Sequence, residues 1–387
     1  MKRRAASVSD YRALARARLP HFLFEYLDGG SYDEATLARN VEDLQSVALR
    51  QRVLRDVSAI DLSATLFGQR WAMPVGLGPV GLSGLYARRG EVQAARAAAA
   101  ANVPFSLSTL SACSIGEVAK GSEAPFWFQL YIVKDRGFVR DMIARAKEAG
   151  CGALLLTVDL AVPGTRYRDY RAGLSGSMRG PGSRFLQALR RPDWAWDVAV
   201  HGRPLTMGNL EPLLGSGAVL ADLMGWVGRN FDASVTWKDV AWVREQWPGP
   251  LVIKGILDPD DAREAVANGA DGVVVSNHGG RQLDGVSSTA RALPAVAEAV
   301  AGRMPVLVDG GVRSGLDVVR MLALGADFVL MGRAWAYALA ACGQDGVAHV
   351  LQLIDAEMRV AMALTGCTNI AQLDESILER SASQATF

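Results

Sequence analysis

Eight short apolar runs limit what this chain can fold into. They lie at residues 73–77, 104–107, 126–130, 153–158, 251–253, 272–275, 306–308 and 328–331. Their β-branched content and their length predict buried strands. Between most of them lie stretches rich in Ala, Arg and Glu, at 91–101, 138–149, 258–268, 290–301 and 315–324, which predict helices. Strands alternating with helices argue for an α/β fold with a parallel sheet, and eight strands suggest closure into a (β/α)8 TIM barrel. The 387 residues then read as a single domain: an N-terminal helical segment over 1–70, a barrel over 72–370, and an insertion over about 170–235. That insertion sits in the interval of about ninety residues between the fourth and fifth strands. Ordinary connections are far shorter, so it is expected to be functional. Residues 8–48 predict helices, with Ser9-Asp10 able to cap the first and Asp28-Gly29-Gly30 as a stop.

Bulk properties exclude several classes. The net charge of +1 gives no global reason to bind nucleic acid. The four cysteines, Cys113, Cys151, Cys342 and Cys367, are scattered, and with only four His there is no metal-ligand spacing. That usage fits a reducing compartment. Met1-Lys2-Arg3-Arg4 is basic, but no apolar core follows, so no signal peptide is expected. The long uncharged stretch 97–116 contains Asn102, Pro104 and several Ser and Thr, and reads as a helix end, a loop and a strand rather than a membrane span.

In a barrel, functional groups gather at the C-terminal ends of the strands. Ser108, Gln129, Tyr131, Thr157, Asp159, Lys254, Ser276, His278, Asp309, Gly311 and Gly332 all fall there. The densest example is Ser276-Asn277-His278-Gly279-Gly280-Arg281-Gln282-Leu283-Asp284-Gly285, directly after the run 272–275. His278 can be neutral near pH 7 and accept a proton. Arg281 offers a planar cationic fork suited to a carboxylate. A base and an anion clamp three residues apart suggest chemistry on a small carboxylic acid. Lys254, in an apolar context, needs a negative partner.

Two glycine-rich segments need separating. Gly76-Leu77-Gly78-Pro79-Val80-Gly81 matches the dinucleotide pattern. Pro79 has no N–H to offer a pyrophosphate, and the next strand leads to Ser108-Thr109 without an acid for a ribose. NAD is therefore not expected. Asp309-Gly310-Gly311-Val312-Arg313 and Gly332-Arg333 follow strands seven and eight, where barrels hold phosphate on backbone N–H groups. Arg313 and Arg333 add charge; ordinary turns with solvated arginines are the other reading.

The ten-residue string around His278 resembles the signature of the FMN-dependent α-hydroxy-acid oxidising enzymes. The likeness extends to Tyr26-Leu27-Asp28-Gly29-Gly30, Trp127-Phe128-Gln129-Leu130-Tyr131, Thr157-Val158-Asp159 and Asp309-Gly310-Gly311-Val312-Arg313. It leans toward the bacterial, membrane-associated L-lactate dehydrogenase branch. The resemblance implies FMN as cofactor, oxidation of an L-2-hydroxy acid to the keto acid, and a quinone as electron acceptor. His278, Asp159, Tyr131 and Arg281 would be catalytic; Tyr26, Arg166, Arg281 and Tyr131 would hold the substrate. Pro79, Val80, Gly81, Ser108, Gln129, Thr157, Lys254, Ser276, Asp309, Gly310, Gly311, Arg313, Gly332 and Arg333 would hold FMN. A core-packing role for Tyr26 and a structural ion pair for Lys254 remain open. It also implies a peripheral position on the cytoplasmic side of the inner membrane and a symmetric homotetramer. One departure is Gly78, where lactate enzymes usually carry Ala and mandelate dehydrogenases resemble this chain. Mandelate or another bulky 2-hydroxy acid, an oxidase using O2, and a non-redox FMN-barrel isomerase stay open.

In the insertion, Arg179, Arg184, Arg190 and Arg191 flank Phe185, Leu186 and Leu189. Trp194, Trp196, Trp226, Trp237, Trp242 and Trp247 lie in or just after it. Basic residues interleaved with apolar ones suit a membrane surface, with residues of about 175–230 docking there. A folded lid over the barrel mouth is the other reading.

Overall fold

The computed structural model describes residues 5–122, 124–174, 181–202, 206–214 and 223–379. A hairpin of β1 (Ala64–Leu66) and β2 (Gln69–Trp71) precedes the main sheet. That sheet comprises β3 (Val75–Leu77), β4 (Ser106–Ser108), β5 (Trp127–Leu130), β6 (Ala153–Thr157), β7 (Leu251–Ile256), β8 (Gly272–Val275), β9 (Val306–Val308) and β10 (Phe328–Met331). Every pairing is parallel, and β3 pairs with β10, so the order runs around a circle. A parallel bridge between Leu77 and Phe105 joins the two remaining edges. This is the expected eight-stranded barrel. β3 and β4 each begin two residues late, beyond Pro74 and Pro104, which lack the N–H a ladder needs.

Side chains on a strand alternate between faces. Trp127, Leu155, Val252, Val274, Leu307 and Leu330 form one cluster inside the barrel, plugged from below by Leu66 and Trp71 of the hairpin. Two residues further along the same face, five strands change character: Gln129, Thr157, Lys254, Ser276 and Asp309. An apolar interior thus ends in a polar layer at the C-terminal rim. Residues of opposite parity, such as Leu154, Leu156, Ile253, Val273 and Val308, pack in the larger cluster with the helices. Lys254 does not end its strand as expected. β7 continues to Ile256, and the ladder slips between Lys254 and Ile256, with Gly255 at φ +117° making the irregularity.

Three helices, α1 (Val8–Arg18), α2 (His21–Asp28) and α3 (Ala35–Ser46), form the N-terminal segment. Ser9-Asp10 is not the cap of α1. Ser7 is, accepting from the Asp10 N–H at 3.3 Å, while the Asp10 carboxylate accepts from the Ala6 N–H at 2.8 Å. Asp10 thus serves from inside the first turn. α1 packs against the long C-terminal helix Arg333–Thr365, which breaks at Gly343.

The insertion is largely helical where described. Helix Leu223–Asn230 leads to Phe231, and helix Trp237–Gln246 buries Val240 and Val243 before β7. Trp194 is buried and donates to the Leu85 carbonyl at 2.7 Å; Arg191 donates to the Leu19 carbonyl at 3.1 Å. Phe185, Leu186 and Leu189 on helix Pro181–Leu189 are exposed, as is Trp196. Arg179 lies outside the described residues. Among the described residues no helix is long and apolar enough to cross a membrane.

Candidate active site

A cleft with an empty volume of about 1210 Å³ opens at the rim of the barrel. His278 enters it from the turn after β8, with backbone at φ +57°, a conformation that a side-chain-bearing residue adopts at a cost. Two contacts hold that turn. The His278 N–H donates to Ser276 Oγ at 3.1 Å, and Asn277 exchanges amide hydrogen bonds of 2.8 and 2.9 Å with Asn40 of α3.

The His278 ring is fixed at both nitrogens. Nδ1 lies 2.9 Å from Asp159 Oδ1, and Nε2 lies 3.4 Å from the Tyr131 hydroxyl. Asp159 leaves β6 two residues after Thr157, and its side chain packs on Gly255, where a Cβ would come within 2.6 Å of Asp159 Cβ. Burial pushes the His278 pKa below its ordinary value; Asp159 works against that, while Lys254 and Arg166 add to it. The imidazole is therefore neutral near pH 7 and free to take a proton, with a carboxylate placed to stabilise the cation that forms. The Tyr131 ring lies 4.9 Å from that of Phe231.

Arg281 and Arg166 both reach the Tyr26 ring, at 4.8 and 5.9 Å from its centroid. Arg281 Nη1 donates to the carbonyls of Tyr26 and Gly29, both at 2.7 Å. Arg166 is buried, and burial followed by the Arg281 charge draws its pKa down. Two confined guanidinium groups around one aromatic ring make a site that favours an anion.

On the floor of the cleft, Lys254 Nζ lies 3.0 Å from Asp309 Oδ2 and 2.8 Å from Ser276 Oγ. Burial would lower its pKa, but Asp309 and Asp159 outweigh that, so Lys254 stays charged. The expected negative partner is thus Asp309. Ser276 is fully buried and spends its hydroxyl on Lys254 and His278. It does not line the cleft, and neither does Gln129, whose Oε1 accepts from the Ser108 hydroxyl at 3.0 Å. Both are expected to touch the cofactor; they share the inward face of Thr157, Lys254 and Asp309, and Gln129 Nε2 has no hydrogen-bond partner there. Pro79, Val80, Gly81, Ser108, Thr157, Lys254, Asp309, Gly310, Gly311, Arg313, Gly332 and Arg333 do line it, with Tyr26, Tyr131, Arg166, His278 and Arg281.

At one end of the cleft, Gly310 and Gly311 take φ of +94° and +80°. Gly311 has no room for a side chain, since a Cβ would lie 2.1 Å from the Asn40 carbonyl oxygen. Arg333 donates to the carbonyls of Gly279 at 2.8 Å, Gly29 at 2.7 Å and Leu27 at 3.2 Å. Its pKa is lowered to about 9, first by burial and then by the charge of Arg281. Arg313 adds to the same field. Such a cluster of cations is relieved by a multivalent anion.

FMN fits these groups. Gln129 Nε2, Thr157 Oγ1 and Asp309 Oδ1 are buried without a hydrogen-bond partner. Buried polar atoms are normally satisfied, so three orphans around one cleft mark a polar ligand. Flavin ring edges and ribityl hydroxyls supply donors and acceptors of that kind, and a phosphate suits Arg313, Arg333 and the glycine turns.

Sequence reasoning missed Tyr86, Leu110, Val227 and Phe231. Val227 lines the cleft and Phe231 stacks on Tyr131, so the last part of the insertion covers the mouth. No spacing signals that contact, because it is made across the chain. Gly255 was missed too, although an isolated glycine after a strand lysine is a bulge signal.

A profile of the family described as FMN-dependent dehydrogenase matches residues 15–380. The chain is 61% identical over 378 residues to a protein named L-lactate dehydrogenase from Caulobacter sp. (strain K31), covering 97% of this chain and 98% of that one. It is 62% identical over 378 residues to one of the same name from Xanthomonas euvesicatoria pv. vesicatoria (strain 85-10), covering 97% and 96%. Among solved structures, it is similar to an (S)-mandelate dehydrogenase described as a monotopic membrane protein. The TM-score there is 0.91 at 38% identity, covering 98% of this chain and all of the other. A mandelate oxidase with (S)-4-hydroxymandelic acid gives a TM-score of 0.84 at 39% identity, covering 97% and 98%. The chain belongs to the FMN-dependent dehydrogenase family.

Proposed function

We propose that this protein oxidises L-lactate to pyruvate and passes the electrons to a membrane quinone. The observation that carries the reaction type is the buried His278–Asp159 pair opposite Arg166 and Arg281 at Tyr26. The substrate carboxylate sits between the two guanidinium groups. Its hydroxyl meets Tyr131 and His278, whose facing atoms are 3.4 Å apart. His278 Nε2 takes a proton from the substrate, from the α-carbon or from the hydroxyl, and Asp159 steadies the imidazolium. FMN, when bound, supplies the two-electron sink. Lys254, held charged by Asp309, places a fixed positive charge on the floor of the cleft. Thr157, Ser108 and Gln129 offer hydrogen bonds to the flavin, the segment 79–81 forms a wall, and Ser276 positions Lys254 and His278. Gly310, Gly311, Gly332, Arg313 and Arg333 hold the phosphate.

Lactate is the first choice because relatives above 60% identity carry that name. A second reading rests on Gly78, which lines the cleft and lacks the methyl group that would lie 3.2 Å from the Met331 carbonyl oxygen. The names carried by the similar solved structures, (S)-mandelate dehydrogenase and mandelate oxidase, favour a bulkier acid such as mandelate in that reading. The exposed Phe185, Leu186 and Leu189, beside Arg184 and Arg190, dock the protein on the cytoplasmic face of the inner membrane. A homotetramer, as the family resemblance implies, is testable by light scattering; a monomer at micromolar concentration would discard it.

The deciding experiment is anaerobic mixing of the purified protein with L-lactate and, separately, with L-mandelate, following flavin absorbance. Fast bleaching by lactate alone is expected. Fast bleaching by mandelate alone would transfer the assignment to the second reading. Bound flavin that neither acid bleaches would overturn both.

A further inference from the structure

A second cavity, with an empty volume of about 1080 Å³, lies beside the cleft. Tyr131, Thr157 and Leu160 line both spaces and form the wall between them. The remaining lining is mainly apolar and comes from four places, one of them Gly255 and Ile256 of β7 with the carboxylate-bearing Asp261 of the helix Pro259–Ala267 after it. Ile132 follows β5, Val158 and Ala161 follow β6, and Phe231, Val235, Trp237 and Val240 belong to the end of the insertion and the helix after it. None of this second set touches the cleft. Asp232 and Thr236 are among the few polar groups. Gly255 completes the floor, and its missing Cβ is what lets Asp159 pack there. Asp159 itself lines neither space; it packs between Gly255 of this cavity and His278 of the cleft.

We propose that this cavity is the binding site of the quinone ring, separate from the subsite of the hydroxy acid. The inference rests on the quinone reading above and adds a location to it. A flat, apolar ring suits walls supplied by Phe231, Trp237, Val235 and Ile132, with only a few polar groups to orient it. The cleft, by contrast, is crowded with Arg166, Arg281, Arg313 and Arg333, which favour anions and penalise an uncharged apolar ring. The balance of the overall reaction closes. The hydroxy acid loses its α-C–H and O–H hydrogens, which is two electrons and two protons, and becomes the keto acid. The quinone gains two electrons and two protons, and its two carbonyl oxygens become hydroxyls. Tyr131 lines both spaces and reaches His278 Nε2, so it is the group through which the proton held by His278 passes to a quinone oxygen; the other proton accompanies the electron pair. Separate sites let both reactants be bound at once.

The test uses the FMN-loaded protein and decylubiquinone as the probe. Of the two spaces Val235 lines only the second, and Val235→Trp puts a bulky ring into it. Quenching of tryptophan fluorescence by the quinone is measured with and without saturating oxalate, a dicarboxylate that occupies the arginine subsite. The expected result is saturable quenching that persists with oxalate and is weakened at least tenfold in Val235→Trp, while anaerobic flavin reduction by L-lactate is unchanged in that variant. A milder variant, Val235→Leu, gives an intermediate shift and guards against misfolding of the first. Quinone binding that oxalate abolishes and Val235→Trp leaves intact would place the acceptor in the substrate cleft and overturn the location alone. Lactate-reduced wild-type protein that decylubiquinone fails to reoxidise would overturn the quinone reading itself, and the inference with it.

Discussion

Replacing Asp159 by Asn removes one charge and almost nothing else. Asn retains an oxygen that can accept from His278 Nδ1–H at the 2.9 Å observed for Asp159. Asp159 does not line the cleft, so FMN and substrate contacts are untouched. What is lost is the stabilisation of the imidazolium by a buried carboxylate. A hydrogen bond to a charged group contributes about 1.5–3 kcal/mol. At about 1.4 kcal/mol per factor of ten, flavin reduction by substrate slows roughly 10- to 150-fold. Loss of the base itself, in His278→Gln, costs roughly 10²- to 10⁴-fold, because the proton then has no acceptor. The pH dependence gives an independent sign. The His278 pKa lies below its ordinary 6.5 because of burial, and Asp159 is the main influence raising it. The active form is the neutral base, so the rate falls as pH drops through that pKa. Removing Asp159 takes away a raising influence, and the acid limb moves to lower pH as the plateau falls. Stopped-flow absorbance at the flavin band from pH 5 to 8 measures both. A plateau within twofold of wild type, or an acid limb moved upward, would refute the role given to this pair.

Other perturbations separate the parts of the site. Lys254→Met leaves Asp309 and Asp159 facing a neutral side chain in a buried layer; breaking such a pair costs about 3–5 kcal/mol, which denaturant unfolding reads directly. Gly311→Ala forces a strained backbone worth about 1–3 kcal/mol and a clash with the Asn40 carbonyl, and the flavin-to-protein absorbance ratio after purification should fall. Phe231→Ala removes the ring packed on Tyr131, a contact worth about 0.5–1.5 kcal/mol, and kcat/KM should drop roughly 2- to 12-fold with FMN retained. Replacing Phe185, Leu186 and Leu189 by Glu should release the protein from anionic vesicles in a flotation assay without altering flavin reduction by lactate; unchanged flotation would discard the docking face.

The barrel was legible because its strands are short, apolar and separated by helical stretches, a pattern that survives in one dimension. The polar groups ending those strands were legible for the same reason, since parity along a strand carries Val252 to Lys254 and Leu307 to Asp309. What escaped was contact made across the chain. Nothing local says that Phe231 will stack on Tyr131 a hundred residues earlier, or that Asn40 will pair with Asn277. The error at the start of α1 has a similar origin. Ser7, Ser9 and Asp10 are all good capping residues, and only the backbone distinguishes the one that stays extended.

Arg333 begins the last long helix, yet it donates to the carbonyls of Leu27 and Gly29 near the other end of the sequence. The ring of strands likewise closes only when β10 pairs with β3. During synthesis, therefore, the emerging chain holds most of the flavin-facing groups well before it can hold a flavin. The cofactor has to be captured after the final helix leaves the ribosome, and until β10 arrives the edges of β3 and β9 that it will join are exposed to whatever is nearby. Scarcity of FMN in the cell would show itself first as a problem of folding yield, and only second as a shortage of active enzyme.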